Sequence, residues 1–169
     1  APAGNTEVTV RTIRIEEAQV GTKQALKTLS VINGVVSADP ATDMAKVAVF
    51  ERHGINGSSA LGFVTGFGFT KGAVASTVAH DSHNLLIVGT NDADMAVAGN
   101  ILAEHGGGMV AVCDGEVLAL VELPVAGLMS DRPVEEVAQD VAKLAQAWQE
   151  LVCKLVSPFM TMALLPLPV

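Results

Sequence analysis

Several stretches of the chain have the hydrophobic pattern of β-strands. EVTVRTIRI (residues 7–15) alternates apolar and polar residues through most of its length, which is typical of a half-buried strand. MAKVAVFERHG (44–54) predicts a second strand, with Glu51, Arg52 and His53 at its C-terminal end. LLIVG (85–89) is wholly apolar, as expected of a central strand covered on both faces.

Two dipeptides predict where strands turn back. Asn33-Gly34 is flanked by apolar β-formers, and Asp114-Gly115 separates MVAVC (109–113) from EVLALVEL (116–123). Both dipeptides accommodate the positive φ angles of a tight hairpin, so each predicts an antiparallel pair.

Helical periodicity appears in two segments. TNDADMAVAGNILAEHGGG (90–108) has Thr90, Asn91 and Asp92 as cap residues and Gly106 as its end, so residues 85–113 predict a right-handed β-α-β unit. SDRPVEEVAQDVAKLAQAWQELVCKL (130–155) predicts a long amphipathic helix that starts near Pro133. The predicted apolar stripes are Met95, Ala98, Ile101 and Leu102 in the first helix, and Val134, Val137, Val141, Leu144, Trp148 and Leu151 in the second.

The segment INGSSALGFVTGFGFTKGAVAST (55–77) is rich in glycine and small residues, and we interpret it as a short helix followed by turns. Its glycines 62, 66, 68 and 72 match neither a dinucleotide fingerprint nor a P-loop, so they predict turns or close backbone approach. The whole pattern indicates a single α/β domain over residues 1–169, with α+β as the alternative, built on a mixed sheet with a β-α-β unit, hairpins and a long C-terminal helix.

Charge and composition narrow the possible partners. The net charge is −8 and Lys and Arg form no cluster, which excludes nucleic-acid binding through phosphate neutralisation.

Half of the residues are hydrophobic, yet there is no apolar run of about 18 residues, so no membrane span is expected. The apolar surplus predicts contact with other protein, either another domain or a second subunit, and we expect a homo-oligomer. The termini, without Met at the start and with ALLPLPV at the end, predict a fragment of a longer polypeptide.

Cys113 and Cys153 both lie in apolar surroundings. That setting is typical of buried free thiols and fits a cytoplasmic protein.

The candidate chemistry centres on VAHDSHNLLIVGTNDAD (78–94). His80 and His83 could converge on a metal only if the chain turns between them, and Glu51 and His53 are then plausible further ligands. The alternative is a hydrogen-bonded polar turn before a buried strand. GTNDAD predicts a helix cap and not an anion site, because its two aspartates would repel an anion. His105 predicts a C-terminal cap.

Several longer segments of the sequence resemble the C-terminal region of bacterial adenine deaminases. They are KVAVFERH, GFGFTKGAVASTVAHDSHNLLIVGTNDADM, LPVAGLMSDRPVEEVA and SPFMTMALLPLPV, in the family's order. The resemblance implies an enzyme that hydrolyses adenine to hypoxanthine and ammonia. It also implies a preceding amidohydrolase barrel that holds a divalent metal pair, manganese or iron, whose bound hydroxide attacks the purine. Those barrel ligands lie outside this chain, so HDSH is not the barrel's metal motif.

Two compatible roles follow for the domain. In the first, the loop His80, Asp81, His83 and Asn84 approaches the barrel and supplies a polar group or an accessory metal ligand. In the second, the domain is a structural and oligomerisation module without catalytic residues. A free-standing small-molecule binding domain is the third possibility.

Overall fold

A single mixed sheet carries the fold. The computed structural model describes residues 4, 6–17 and 19–167, and within them nine strands lie in the order β3-β2-β1-β5-β4-β7-β6-β8-β9. This confirms the α/β prediction. The strands are β1 (Glu7–Arg14), β2 (Lys23–Ile32), β3 (Val35–Val36), β4 (Ala45–Phe50), β5 (Ser59–Thr65), β6 (Ala73–Ser76), β7 (Leu85–Gly89), β8 (Gly108–Cys113) and β9 (Glu116–Glu122). The helices are α1 (Asp92–Glu104), α2 (Val134–Glu150) and α3 (Pro158–Leu164), with a 3-10 turn at Pro40–Thr42.

Both predicted hairpins are confirmed. Asn33 and Gly34 have φ angles of 52° and 78°, and Asp114 and Gly115 have 54° and 80°. Two consecutive positive φ angles match the twist of the flanking strands. The first turn joins β2 to β3 and the second joins β8 to β9, each as an antiparallel pair.

The predicted β-α-β unit is present as β7, α1 and β8, but its strands are not neighbours. Both β7 and β8 pair antiparallel with β6, so they run parallel to each other with β6 between them. The sequence prediction lacked this middle strand because β6 comes from the glycine-rich segment 55–77.

The short helix predicted within residues 55–77 is wrong. The structure forms β5 and β6 there instead. All four residues of β6, Ala73 to Ser76, are buried between β7 and β8, where small side chains let α1 approach closely. The glycines between the two strands do make turns and close contacts. Gly72 has a φ of 75° and lies against Leu151 and the carbonyl of Val112, which leaves no room for a Cβ.

Two hydrophobic layers cover the sheet. On one face α1 packs on β6, β7 and β8, with Ala98 and Leu102 buried. On the other face α2 packs on β8 and β9, with Leu144, Trp148 and Leu151 buried.

The predicted stripe of α2 is fully buried only in its C-terminal half. Val134 is 74 % exposed and Val141 is also exposed, whereas Val137 is half-buried against the core. The helix lies at the edge of the sheet, against β9 and β8, so its first turns are only partly covered.

The two cysteines are free, as predicted. Cys113 is buried and Cys153 is half-buried. Burial raises the pKa of both thiols, because the apolar surroundings disfavour the thiolate. None of the described helices has the length and apolar character needed to cross a membrane.

Candidate functional site

One end of the sheet gathers the residues that the sequence proposed as metal ligands or accessory site residues: Glu51, His53, His80, Asp81, His83 and Asn84. Because the central strands alternate in direction, the loops 51–58, 77–84, 105–107 and 123–130 all meet there. In a parallel sheet, a motif at the start of β7 would lie away from the carboxyl ends that favour ligand binding. Here the same end also carries the carboxyl ends of β4, β6 and β9, so that objection to a functional site does not apply.

Residues 80–83, which we call the HDSH turn, make a tight turn before β7. The His80 N–H donates to the carbonyl of Ala163 in α3 at 2.8 Å, and the His83 N–H donates to the carbonyl of Ala79 at 2.7 Å. His83 has a φ of 50°, and the peptide between His80 and Asp81 is cis. The two imidazoles lie edge to face with centroids 5.1 Å apart, so the turn does bring the two histidines together.

The hydrogen bonding of His83 indicates its tautomer. Its Nδ1 accepts from the N–H of Ala79 at 3.3 Å. A neutral imidazole that accepts at Nδ1 carries its proton at Nε2. His83 therefore presents a hydrogen-bond donor at Nε2, where a metal would require a lone pair.

Arg52 ties the HDSH turn to the loop 123–130. Its Nε donates to the carbonyl of His83 at 2.6 Å, and its guanidinium also donates to the carbonyl of Ala126 at 2.8 Å. The guanidinium lies against Gly127, where a Cβ would collide with it. Burial lowers the pKa of Arg52, although a guanidinium stays charged in any protein. The sequence analysis predicted that Arg52 lies at the C-terminal end of the strand 44–54, but it assigned no role to the side chain.

The Glu51 side chain is committed to its own loop, and the His53 side chain is committed to the HDSH turn. The Glu51 carboxylate accepts from the backbone N–H groups of His53, Ile55, Asn56 and Gly57. These bonds, that of Gly57 above all, lower the pKa of the Glu51 carboxyl. His53 donates from Nε2 to the carbonyl of Ser82 at 2.8 Å and so buttresses the HDSH turn.

The donors do not form a metal site within the described chain. Among residues 4, 6–17 and 19–167, no three His, Cys, Asp or Glu side chains are grouped so that they could hold a metal ion. A metal at His80 or His83 would need ligands from outside these residues, and the accessory-ligand hypothesis stays a prediction.

Asn84 leaves an unpaired acceptor directly after the HDSH turn. Its Oδ1 is buried and has no hydrogen-bond partner among the described residues. Buried acceptors are almost always paired, so an exception at this position is notable. Asp81, in contrast, is exposed. The turn therefore offers two partly accessible imidazoles and one amide whose bonding is incomplete.

The two capping predictions are confirmed. The Asn91 side chain accepts from the N–H of Asp94 at 2.8 Å at the start of α1. His105 is the C-cap residue of the same helix, and its Nδ1 donates to the carbonyl of Ile101 at 2.8 Å. Neither residue is part of the HDSH turn.

Comparison with known proteins places the chain in a family. Residues 19–169 match the family model described as "Adenine deaminase C-terminal domain". An adenine deaminase of Moorella thermoacetica is 69 % identical over all 169 residues, which are 28 % of that protein. An adenine deaminase of Clostridium botulinum (strain ATCC 19397 / Type A) is 56 % identical over 95 % of this chain and 27 % of its own length. Adenine deaminase 3 of Rhizobium meliloti is 50 % identical over 99 % of this chain and 28 % of its own length. The chain thus spans little more than a quarter of these curated relatives, and it belongs to the family of adenine deaminase C-terminal domains.

Proposed function

We propose that this chain is the C-terminal part of an adenine deaminase and that its HDSH turn completes an active site built mainly by a preceding domain. The whole enzyme would hydrolyse adenine to hypoxanthine and ammonia. The divalent metal, manganese or iron, would be bound in the preceding domain, since the described part of this chain gathers no ligand set.

The observation that carries the proposal is the pair of partly accessible imidazoles, His80 and His83, that the HDSH turn places 5.1 Å apart. The backbone around them is held firmly, by Arg52 on one side and by α3 on the other. A rigid turn with two partly accessible imidazoles is a suitable surface to meet a second domain and its substrate.

The chemistry of His83 suits a polar purine. The Nε2–H group can donate to a ring nitrogen of adenine, which offers acceptors along its edges. The role proposed for His80 and His83 is therefore to bind and orient the substrate. An accessory ligand role is the alternative for the same side chains.

The test uses the full-length enzyme with His80→Ala and His83→Ala made separately. Loss of one substrate hydrogen bond should lower kcat/KM for adenine about tenfold, with bound metal unchanged. His105→Ala is the matched control, because it removes a partly exposed imidazole that caps α1. A parallel fall in metal content would assign the accessory-ligand role. Unchanged kcat/KM together with unchanged metal content in both variants would refute the proposal.

An assembly role is the second candidate and is compatible with the first. It is favoured by exposed apolar side chains on the sheet face beside α1, where Leu61 is 80 % exposed. Such a surface normally meets other protein. Under this role the domain would also support a homo-oligomer.

A further inference from the structure

A wide groove runs along the sheet face beside α1. Its floor is formed by β4, β5 and β7, whose register places Ala48, Leu61 and Ile87 side by side on one face. One wall is α1 and the other is formed by β1 and β3, with Val10 and Val35 among the lining residues. α1 packs on β6, β7 and β8, so the floor over β5 is left open.

The size and chemistry of the groove argue against a small polar ligand. Its volume is about 1160 Å³, larger than the roughly 300–1,000 Å³ of small-molecule pockets. The charged side chains along it are largely committed. Lys46 pairs with Asp92 at 2.6 Å, Glu51 caps its own loop, and Arg52 clamps the HDSH turn. What the groove offers is mainly apolar surface.

The α1 wall is built for close approach by another element. Ala96, Gly99, Asn100 and Ala103 line the groove at helical spacings of three and four. Small residues on one stripe let a second helix lie near, and a helix laid on the sheet beside α1 would complete the layer that covers this face. The floor and the α1 wall point independently to a packed segment of protein.

We propose that an apolar helical segment of the polypeptide that precedes this domain fills the groove. The inference rests on the proposed function only in taking the chain to be the C-terminal part of a longer protein. The relatives carry over 70 % of their length outside the matched region. A preceding segment would enter this domain through β1, which forms one wall of the groove. Such tethering gives the segment a high effective concentration, which a second copy lacks.

The test places a photo-crosslinking benzoylphenylalanine at position 61 of the full-length protein. Val134 is the matched control, because it is similarly exposed but lies on α2, which packs on the opposite face. We expect capture at position 61 within one molecule, with the crosslinked peptide from residues that precede this domain, and little capture from position 134. Capture of a second copy at twice the mass, capture within this domain, equal capture from both positions, or none would each overturn the proposal.

A milder substitution guards against misfolding of that variant. In the full-length protein, Leu61→Cys should react with a maleimide at least about tenfold more slowly than Val134→Cys, as mass spectrometry of the labelled peptides would show. Equal rates would contradict a filled groove. Neither readout depends on adenine turnover, so failure of the groove proposal and failure of the HDSH-turn proposal are separable.

Discussion

Thr77 is a buried hydroxyl on which two loops depend. Its Oγ1 accepts from the N–H of Gly108 at 2.8 Å and donates to the carbonyl of Gly127 at 2.6 Å. We predict that Thr77→Val, which keeps the shape of the side chain, lowers the free energy of unfolding by about 1–3 kcal/mol, because both backbone groups lose their partner. Thr77→Ser keeps the hydroxyl and is expected to retain most of the stability. Urea unfolding of the parent and both variants measures these differences. If Thr77→Val were as stable as the parent, that result would contradict the hydrogen bonds described for the Thr77 hydroxyl.

The bonding of Glu51 predicts in which direction the free energy of unfolding changes with pH. Its backbone hydrogen bonds, led by that of Gly57, lower the pKa of the carboxyl below the ordinary value of 4.5. The contribution of the carboxylate to stability is therefore fully present above the unfolded-state pKa and is lost as the pH falls through the lowered one. We predict that Glu51→Gln is less stable than the parent near neutral pH and that the difference shrinks on acidification.

Denaturant unfolding from neutral to acidic pH measures that difference. Glu150→Gln serves as the control, because Glu150 is an exposed carboxylate at the end of α2. A difference for Glu51→Gln that stays constant across the titration would count against the loop-capping role.

Glu51 also shows where prediction of the site from sequence stops. Its position after a strand and beside His53 was readable, whereas the approach of His80 to His83 was expected only if the chain turned between them. The direction of the Glu51 side chain was not, because that depends on the path of the loop 51–58 and on which backbone N–H groups it turns inward. The role of Arg52 was equally hidden, since its two acceptors lie 31 and 74 residues away along the chain.

At the scale of elements, Asp94 links α1 to the hairpin between β8 and β9. Asp94 is only 3 % exposed, and its carboxylate accepts from the N–H of Gly115 at 2.8 Å and that of Asp114 at 3.3 Å. We predict that Asp94→Ala costs about 1–3 kcal/mol of unfolding free energy, because two hydrogen bonds to a buried carboxylate are lost. Thermal unfolding measures the loss.

Asp92→Ala is the matched control for Asp94→Ala. Both residues lie in the first turn of α1, so both variants lose the same favourable interaction with the helix dipole. Asp92 makes an ion pair with Lys46 from a largely exposed side chain, and such pairs contribute about 0–1 kcal/mol. A loss as large as that of Asp94→Ala would argue against the hairpin link.

Elements with local signals were predicted well from sequence. The hairpins carry Asn-Gly and Asp-Gly, and α1 carries its own cap, so local chemistry was enough. β5 and β6 have no such signal. The small residues of β6 and the glycine before it fit contacts with α1 and Leu151, which are distant in sequence. The exposure of the first residues of α2 also depends on distant structure. The apolar periodicity of the helix could not show that the sheet ends at β9 and leaves these residues uncovered.

At the scale of the whole molecule, the strand pairs of the sheet differ in length. β1 pairs with β2 over eight positions but with β5 over only two, Ile13 with Val64 and Arg14 with Thr65. We predict that the amides of β1 and β2 exchange with solvent faster than those of β4 and β7, because a short seam opens at lower cost than the centre of the sheet. Hydrogen exchange of the full-length protein, followed by mass spectrometry, tests this. Uniform protection across all four strands would contradict it.

The contact between the HDSH turn and α3 has a consequence for biosynthesis. The His80 N–H is held by Ala163, and α3 follows every other described element along the chain. During translation all nine described strands leave the ribosome before α3 does, because synthesis runs from the N-terminus. The turn cannot reach its final hydrogen bonding until α3 has emerged as well. A nascent chain truncated before α3 would therefore contain all nine described strands and still lack a finished HDSH turn.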